Sequence, residues 1–158
     1  DAYSFPVVTF VVSEGFEKSS AAELAGSIRD SAKLAQAYAS ATTAKIAVVT
    51  GKAYGSAYVA LASTAAGSDF TFAWEGAVIA PTTPEAAVVF LNGVSEDNAK
   101  QAQEYADNEA DAFTAAANGY VDRVITAEDT KSALTSAIEA TSSKRVVAPA
   151  KKHVNFVY

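Results

Sequence analysis

Val48-Val49-Thr50-Gly51-Lys52-Ala53-Tyr54-Gly55-Ser56-Ala57-Tyr58 is the stretch on which the fold turns. A β-branched run, Ile46 to Thr50, empties into a glycine-punctuated turn. An apolar helical pattern of Ala57, Tyr58, Leu61 and Ala62 begins directly after Gly55, so the stretch predicts a strand-to-helix corner. At such a corner the first backbone N–H groups of the helix lack intrahelical partners, and the helix dipole places partial positive charge there. Gly55, Ser56 and Ala57 are small enough to let an oxygen approach those groups closely, which suits the corner to hold developing negative charge. A second reading stands beside this one: a tight turn whose small residues simply let the helix pack on the sheet.

Upstream, Phe5 to Val12 is a near-continuous apolar run bounded by Ser13, Glu14 and Gly15, the pattern of a parallel strand covered on both faces. Ser19 or Ser20 is placed to cap a helix carrying Leu24, Ile28, Ala32, Ala35 and Tyr38 on one stripe, which is expected to pack into the core. Lys45 to Thr50 is the second strand. Downstream of the corner, Phe70 to Ala73 and Ala77 to Ala80 read as short strands on either side of Glu75-Gly76. Strand and helix in alternation predict a layered α/β architecture with right-handed crossovers.

The second half is more helical and more acidic. Pro84 sits where a helix starts, with Glu85 in its first turn, and the pattern fades at Asn92-Gly93. One long helix is expected from Ser95 to Ala117, with Ala102, Tyr105, Ala106, Ala110 and Phe113 on one side. Its Glu96, Asp97, Glu104, Asp107, Glu109 and Asp111 read as a solvated face and not as a metal site, because the ligand alternation of a calcium loop is missing. Asn118-Gly119 ends that helix and turns the chain into a strand, Tyr120 to Ile125. Thr126 with Asp129 resembles a capping box for a last helix bearing Ala133, Leu134, Ala137 and Ile138, and no period continues beyond Ser142.

Composition narrows the function classes. Half of the 158 residues are hydrophobic, enough for one domain with a real core. The formal net charge of −6 argues against a groove that must neutralise nucleic-acid phosphates. There is no cysteine, hence no disulfide, thiolate nucleophile or cysteine-ligated zinc. The single histidine, His153, lies in the unpatterned tail and is read as a tail residue, so the usual nucleophile-base pairs have almost nothing to be built from. No apolar run approaches the roughly 18 residues of a spanning helix, and a soluble, cytoplasmic protein is expected.

The run Lys52-Ala53-Tyr54-Gly55-Ser56-Ala57-Tyr58 resembles the KAYGGAY signature of the carboxyltransferase subunits of biotin-dependent acyl-CoA carboxylases and decarboxylases. Collinear with it, Phe10-Val11 through Gly15-Phe16 resembles FVDVPGF, and Ile28-Arg29 with Ala32-Lys33-Leu34 resembles IIRHGAKLL. Ala73-Trp74 with Pro84-Glu85 resembles AWP…GPEG. Asn118-Gly119-Tyr120-Val121-Asp122-Arg123-Val124-Ile125 resembles RGYVDDVI, and Pro149-Ala150-Lys151-Lys152-His153 resembles PPKKHG. The chain departs from these patterns at Ser13-Glu14, where the family has Val-Pro. It departs again at Ser56, where the family has Gly, and at Thr82-Thr83-Pro84-Glu85-Ala86, which stands for MGPEG.

The resemblance implies a crotonase-like spiral of ββα units, N-terminally truncated, with residues 1–158 as a single partial domain: the C-terminal, biotin-side half of a carboxyltransferase. It implies transfer of a carboxyl group between biotin and an acyl-CoA, with the biotin enolate held by backbone N–H groups of Gly15, Phe16, Ser56 and Ala57. Tyr54, Gly55, Tyr58, Pro84 and Glu85 are implied to bind the cofactor, and no metal is expected. The implied partners are an N-terminal carboxyltransferase domain, a biotin carboxyl carrier protein and further copies of the chain, with a membrane involved only through partner subunits. Gly51-Lys52-Ala53 followed by Gly55-Ser56-Ala57-Tyr58 leans toward the decarboxylase branch. Two other classes remain open: a non-catalytic interaction subunit that keeps the fold, and a serine hydrolase using Ser56.

Overall fold

The computed structural model describes residues 1–147, so the tail with Lys151, Lys152 and His153 lies outside the described residues. Five parallel strands form one sheet: β1 (Val7–Ser13), β2 (Lys45–Tyr54), β3 (Phe70–Trp74), β4 (Val78–Ala80) and β5 (Arg123–Ile125). Around them lie α1 (Ser20–Ala25), α2 (Ser27–Ser40), α3 (Gly55–Ala62), α4 (Pro84–Asn92), α5 (Asn98–Asn108), α6 (Ala112–Ala117) and α7 (Thr130–Thr141). A short 3₁₀ turn spans Thr64–Ala66.

The long central strand β2 is the spine. Its alternation sends Ala47, Val49 and Ala53 to one face, where they meet Tyr58 and Ala62 of α3 and Ala112 and Ala115 of α6. Ile46 and Val48 point to the other face, against Phe72, Ile125 and Ala133 and Ala137 of α7. Burial on both faces explains the unbroken apolar run from Ile46 to Val49. Its first half pairs with β3, Ile46 beside Phe70 through Val49 beside Ala73. Its second half pairs with β4, Lys52 beside Val78 through Tyr54 beside Ala80. That second pairing corrects the expected turn at Gly51-Lys52: β4 engages the backbone there, the strand runs on to Tyr54, and the chain turns only at Gly55.

Other boundaries shift for local reasons. The single helix expected after Ser19 is two helices, because Gly26 takes a left-handed conformation (φ +95°) between them. The Ser19 hydroxyl does cap the first, accepting from the Ala22 N–H at 3.0 Å. The helix expected over Ser95 to Ala117 breaks at Glu109–Asp111, where the Ala110 carbonyl accepts from Ile79 N–H (2.7 Å) and Asp111 caps α6 through Phe113 and Thr114 N–H. Phe113 is turned to solvent, not into the core. The last strand shortens to Arg123–Ile125, while Asp122 before it ties to Thr71 through both backbone and carboxylate.

The largest correction concerns α1, α2 and β1. No residue of α1 or α2 is buried; Leu24 is 91% and Ile28 71% exposed. On β1, Val11 is buried against the core, but Phe10 is 58% and Val12 67% exposed. β1 is an edge strand of the sheet, paired only with β2, and among the described residues nothing covers its outer face. The stripe and the strand have the composition of core elements without the covering layer.

Candidate functional site

Because β1 and β2 run parallel, their C-terminal ends open at the same edge of the sheet. Ser13 pairs with Ala53 after an irregularity that skips part of β2, which brings the end of β1 level with the start of α3. A Cβ on Gly15 would stand 4.0 Å from the Tyr54 carbonyl oxygen, so the two chain segments are neighbours. Gly15 itself adopts φ +110°. Gly55 adopts φ +60°, and a Cβ there would come within 3.2 Å of the Pro81 carbonyl oxygen. Handedness and space together require glycine at the corner.

A cavity of about 750 Å³ opens in front of these ends. Gly15, Phe16, Tyr54, Gly55 and Ser56 line one side, Ile28, Ala32 and Ala35 of α2 another, and Pro81 to Thr83 a third. Ser56 is the second residue of α3, and Tyr54, the residue before the helix, offers its N–H groups no side-chain cap. Thus five of the residues expected at the site from the sequence (Gly15, Phe16, Tyr54, Gly55 and Ser56) share one wall.

A second cavity, of about 410 Å³, lies on the other side of Tyr54, toward α4 and α5. Pro84 and Glu85 belong to this one, and Tyr54, Glu14 and Thr83 line both. Thr83 caps α4 through its hydroxyl, with Pro84 at the first helical position. The expected cofactor-binding residues are therefore divided between two adjoining spaces.

Two of the expected residues stand elsewhere. Tyr58 is buried in the core, its hydroxyl donating to the Tyr120 carbonyl at 2.9 Å, and burial pushes the phenol up to about 12. It lines neither cavity, because a position two residues beyond the exposed start of α3 rotates under the helix toward the sheet. The Ala57 side chain is likewise in the core.

Three polar groups beside the two strand ends, Ser13, Glu14 and Lys52, had no part assigned from the sequence. Ser13 accepts the Gly15 N–H on its hydroxyl at 3.2 Å, so one expected donor already has a partner. Glu14 lies 2.6 Å from Lys52 Nζ, and each raises the ionised population of the other: the Glu14 carboxyl is held below its ordinary value and the Lys52 ammonium above. Lys52 falls within the recognised run, yet only its strand conformation carries it to Glu14. Tyr54 is 5% exposed, and burial raises its phenol above the ordinary value. Among the described residues no group of three or more acidic or histidine side chains is arranged to hold a metal.

The sequence profile of the carboxyl transferase domain family matches residues 1–156. The chain belongs to that family. It is 39% identical over 155 residues to the mitochondrial propionyl-CoA carboxylase beta chain of Rattus norvegicus, covering 98% of this chain and 29% of that one. The methylmalonyl-CoA decarboxylase subunit alpha of Veillonella parvula is 37% identical over 155 residues, with 98% and 30% covered. Among solved structures, the transcarboxylase 12S hexamer with methylmalonyl-coenzyme A and methylmalonic acid bound superposes with a TM-score of 0.91. It shares 38% identity and covers 98% of this chain and 31% of that one. The beta subunit of geranyl-CoA carboxylase from P. aeruginosa, at 21% identity and a TM-score of 0.78, shares the fold. The crotonase-like α/β class is thereby established for this carboxyl transferase domain, which spans about three-tenths of the length of its relatives. Among the described residues no helix is long and apolar enough to cross a membrane.

Proposed function

We propose that the chain supplies the biotin side of a carboxyl transfer between biotin and an acyl-CoA, as the C-terminal half of a carboxyltransferase. The observation that carries this reading is the shared wall of the larger cavity, where the ends of β1 and β2 present Gly15, Phe16, Gly55 and Ser56 together. Bound biotin would bring the transferable carboxyl and, once that is lost, a base of its own. The protein then needs no acid-base pair, only oriented donors for the ureido oxygen. Phe16 and Ser56 contribute N–H groups at the two strand ends; Ala57 adds a third N–H from the same helical turn, although its side chain faces the core. Gly15 contributes after its N–H leaves the Ser13 hydroxyl, an exchange favoured by the stronger hydrogen bond to a charged acceptor. The apolar flank from α2 excludes water from the bound ring.

The N-terminal carboxyltransferase domain, which would hold the acyl-CoA, and a biotin carrier protein are the partners in this reading, and a cytoplasmic setting goes with it. Association is supported by the apolar surface of Phe10, Val12, Leu24 and Ile28.

Ser56 tests the mechanism. It lies in the first turn of α3, where proline is sterically tolerated but removes the N–H. Ser56→Ala is expected to retain carboxyl transfer within a small factor in the assembled enzyme, whereas Ser56→Pro abolishes it. Equal loss in both variants points instead to a hydroxyl nucleophile, the serine hydrolase alternative.

A further inference from the structure

Lys45 opens β2 and is 4% exposed, and the proposed reaction makes no use of it. Its ammonium donates to the Tyr38 and Ala41 carbonyls at the end of α2. α2 carries no basic residue in its own last turn, so the sheet supplies the cation that the negative end of the helix dipole favours. The Asp69 carboxylate nearby is spent elsewhere: its Oδ2 accepts the Lys45 backbone N–H and the Lys144 ammonium, each at 2.8 Å. Burial and the Lys144 charge push the Lys45 pKa below its ordinary value, with Asp69 opposing them. The ammonium is thus held at an electrostatic cost, with the end of α2 as its partner.

The place it holds bounds the larger cavity. The lining follows α2 from Ser27 to Ala39, and follows α3 from Ser56 through Val59 and Ala60 to Ala65 and Ala66 of the 3₁₀ turn. Gly67 directly follows that turn, and a Cβ on it would stand 2.9 Å from Lys45 Nζ. The ammonium therefore fits between the end of one wall and the end of the other. No residue of α2 is buried, so core packing does not fix the helix. Its last turn is tied to the sheet by Lys45 and by the Tyr38 hydroxyl, 3.0 Å from Thr9 Oγ1.

We infer that Lys45 is a positioning residue for the larger cavity, its ammonium setting the distance between the α2 wall and the 3₁₀ wall. Its bearing on ligand binding rests on the reading of that cavity as the biotin site; its bearing on the walls does not.

The chain has no cysteine, so nitroxides attached at Ser40→Cys and Thr64→Cys, both exposed positions, report the separation of the walls by electron paramagnetic resonance. Lys45→Met keeps the length of the side chain and removes its donors. It is expected to broaden the distance distribution and to weaken biotin binding about fivefold. The urea midpoint is expected not to fall, because an ammonium disfavoured by its surroundings leaves with the substitution. Lys144→Met, which leaves the α2 carbonyls their donor, is the control and is expected to change neither distribution nor affinity. Gly67→Ala keeps the charge but intrudes on Nζ, and is expected to lengthen the mean distance; it decides the question where Lys45→Met fails to fold. An unchanged distribution in the folded variants overturns the inference, and so does a broadened one with biotin affinity unchanged. Failure of the wild-type chain to bind biotin overturns the head-group reading instead, and the distance distributions alone then decide the positioning role.

Discussion

Glu14 Oε1 lies 2.6 Å from Lys52 Nζ, an ion pair that joins the end of β1 to the second half of β2 at the rim of the smaller cavity, with Glu14 bordering the larger one as well. A carboxylate in this place works against a site built to receive negative charge, and Lys52 offsets it. Lys52→Ala is therefore expected to raise the Glu14 pKa toward its ordinary value and to weaken binding of a carboxylated ligand more than of a neutral one. Carboxyl-carbon NMR titration reads the first effect directly. For stability the signs are opposite. The depressed Glu14 contributes above its ordinary pKa and loses that contribution as pH falls through the folded value, while the raised Lys52 contributes at lower pH and loses it as pH rises through its own. Both side chains are more than half exposed, so the stability change is small.

Gly55 combines φ +60° with a 3.2 Å approach of any Cβ to the Pro81 carbonyl oxygen. Gly55→Ala is expected to cost about 1–3 kcal/mol in urea unfolding, from left-handed strain plus displacement of the Pro81 segment. Gly76→Ala, with ordinary φ and nothing within 4 Å, provides the control and is expected to be near neutral.

Tyr58 separates structure from chemistry within the recognised run. Tyr58→Phe removes the hydrogen bond to the Tyr120 carbonyl and leaves that oxygen short of a partner, an expected loss of about 1–2 kcal/mol, with ligand affinity unchanged. Its phenol, raised to about 12 in the fold, binds its proton more tightly than in the unfolded chain. Stability is therefore expected to fall as pH climbs from the ordinary value of 10 toward 12, and Tyr58→Phe should flatten that slope.

The uncovered face makes an expectation about assembly. Phe10, Val12, Leu24 and Ile28 together form the surface of a core without its second layer. Sedimentation at micromolar concentration is expected to show association that buries more than about 1,000 Å² in total. Leu24→Asp should shift the population toward monomer. A wild-type monomer that binds no apolar dye would contradict the interface.

Much of this was legible in the residues. The β-branched run of β2 announced a doubly covered parallel strand, and Gly55 with the apolar period after it announced the corner. The motif order, from Phe10 to Ile125, pointed to the family because it constrains many separated positions at once. What the sequence hid was non-local. Whether the Leu24-Ile28 stripe meets a partner depends on what covers the edge of β1, not on helical period. The break at Ala110 depends on Ile79, some thirty residues away, taking its carbonyl. Likewise Tyr54 and Tyr58 look equivalent in the run and both are buried, yet the strand-to-helix rotation sets Tyr54 in a small cluster with Ala80 and Ala110 beside the cavities and Tyr58 in the main core away from them. Ser13 was noted as a departure, but its hydrogen bond to Gly15 N–H needs the left-handed glycine to be seen.

The central claim is that backbone N–H groups from two strand ends receive one ligand oxygen. ¹H–¹⁵N correlation spectra of the 158-residue chain during titration with biotin test it most directly. The account expects the largest shifts at Phe16 and Ser56, with Gly15 moving as its N–H leaves Ser13, and a larger Gly15 response in Ser13→Ala. Shifts confined to residues away from these strand ends, or none at saturating biotin, would contradict it.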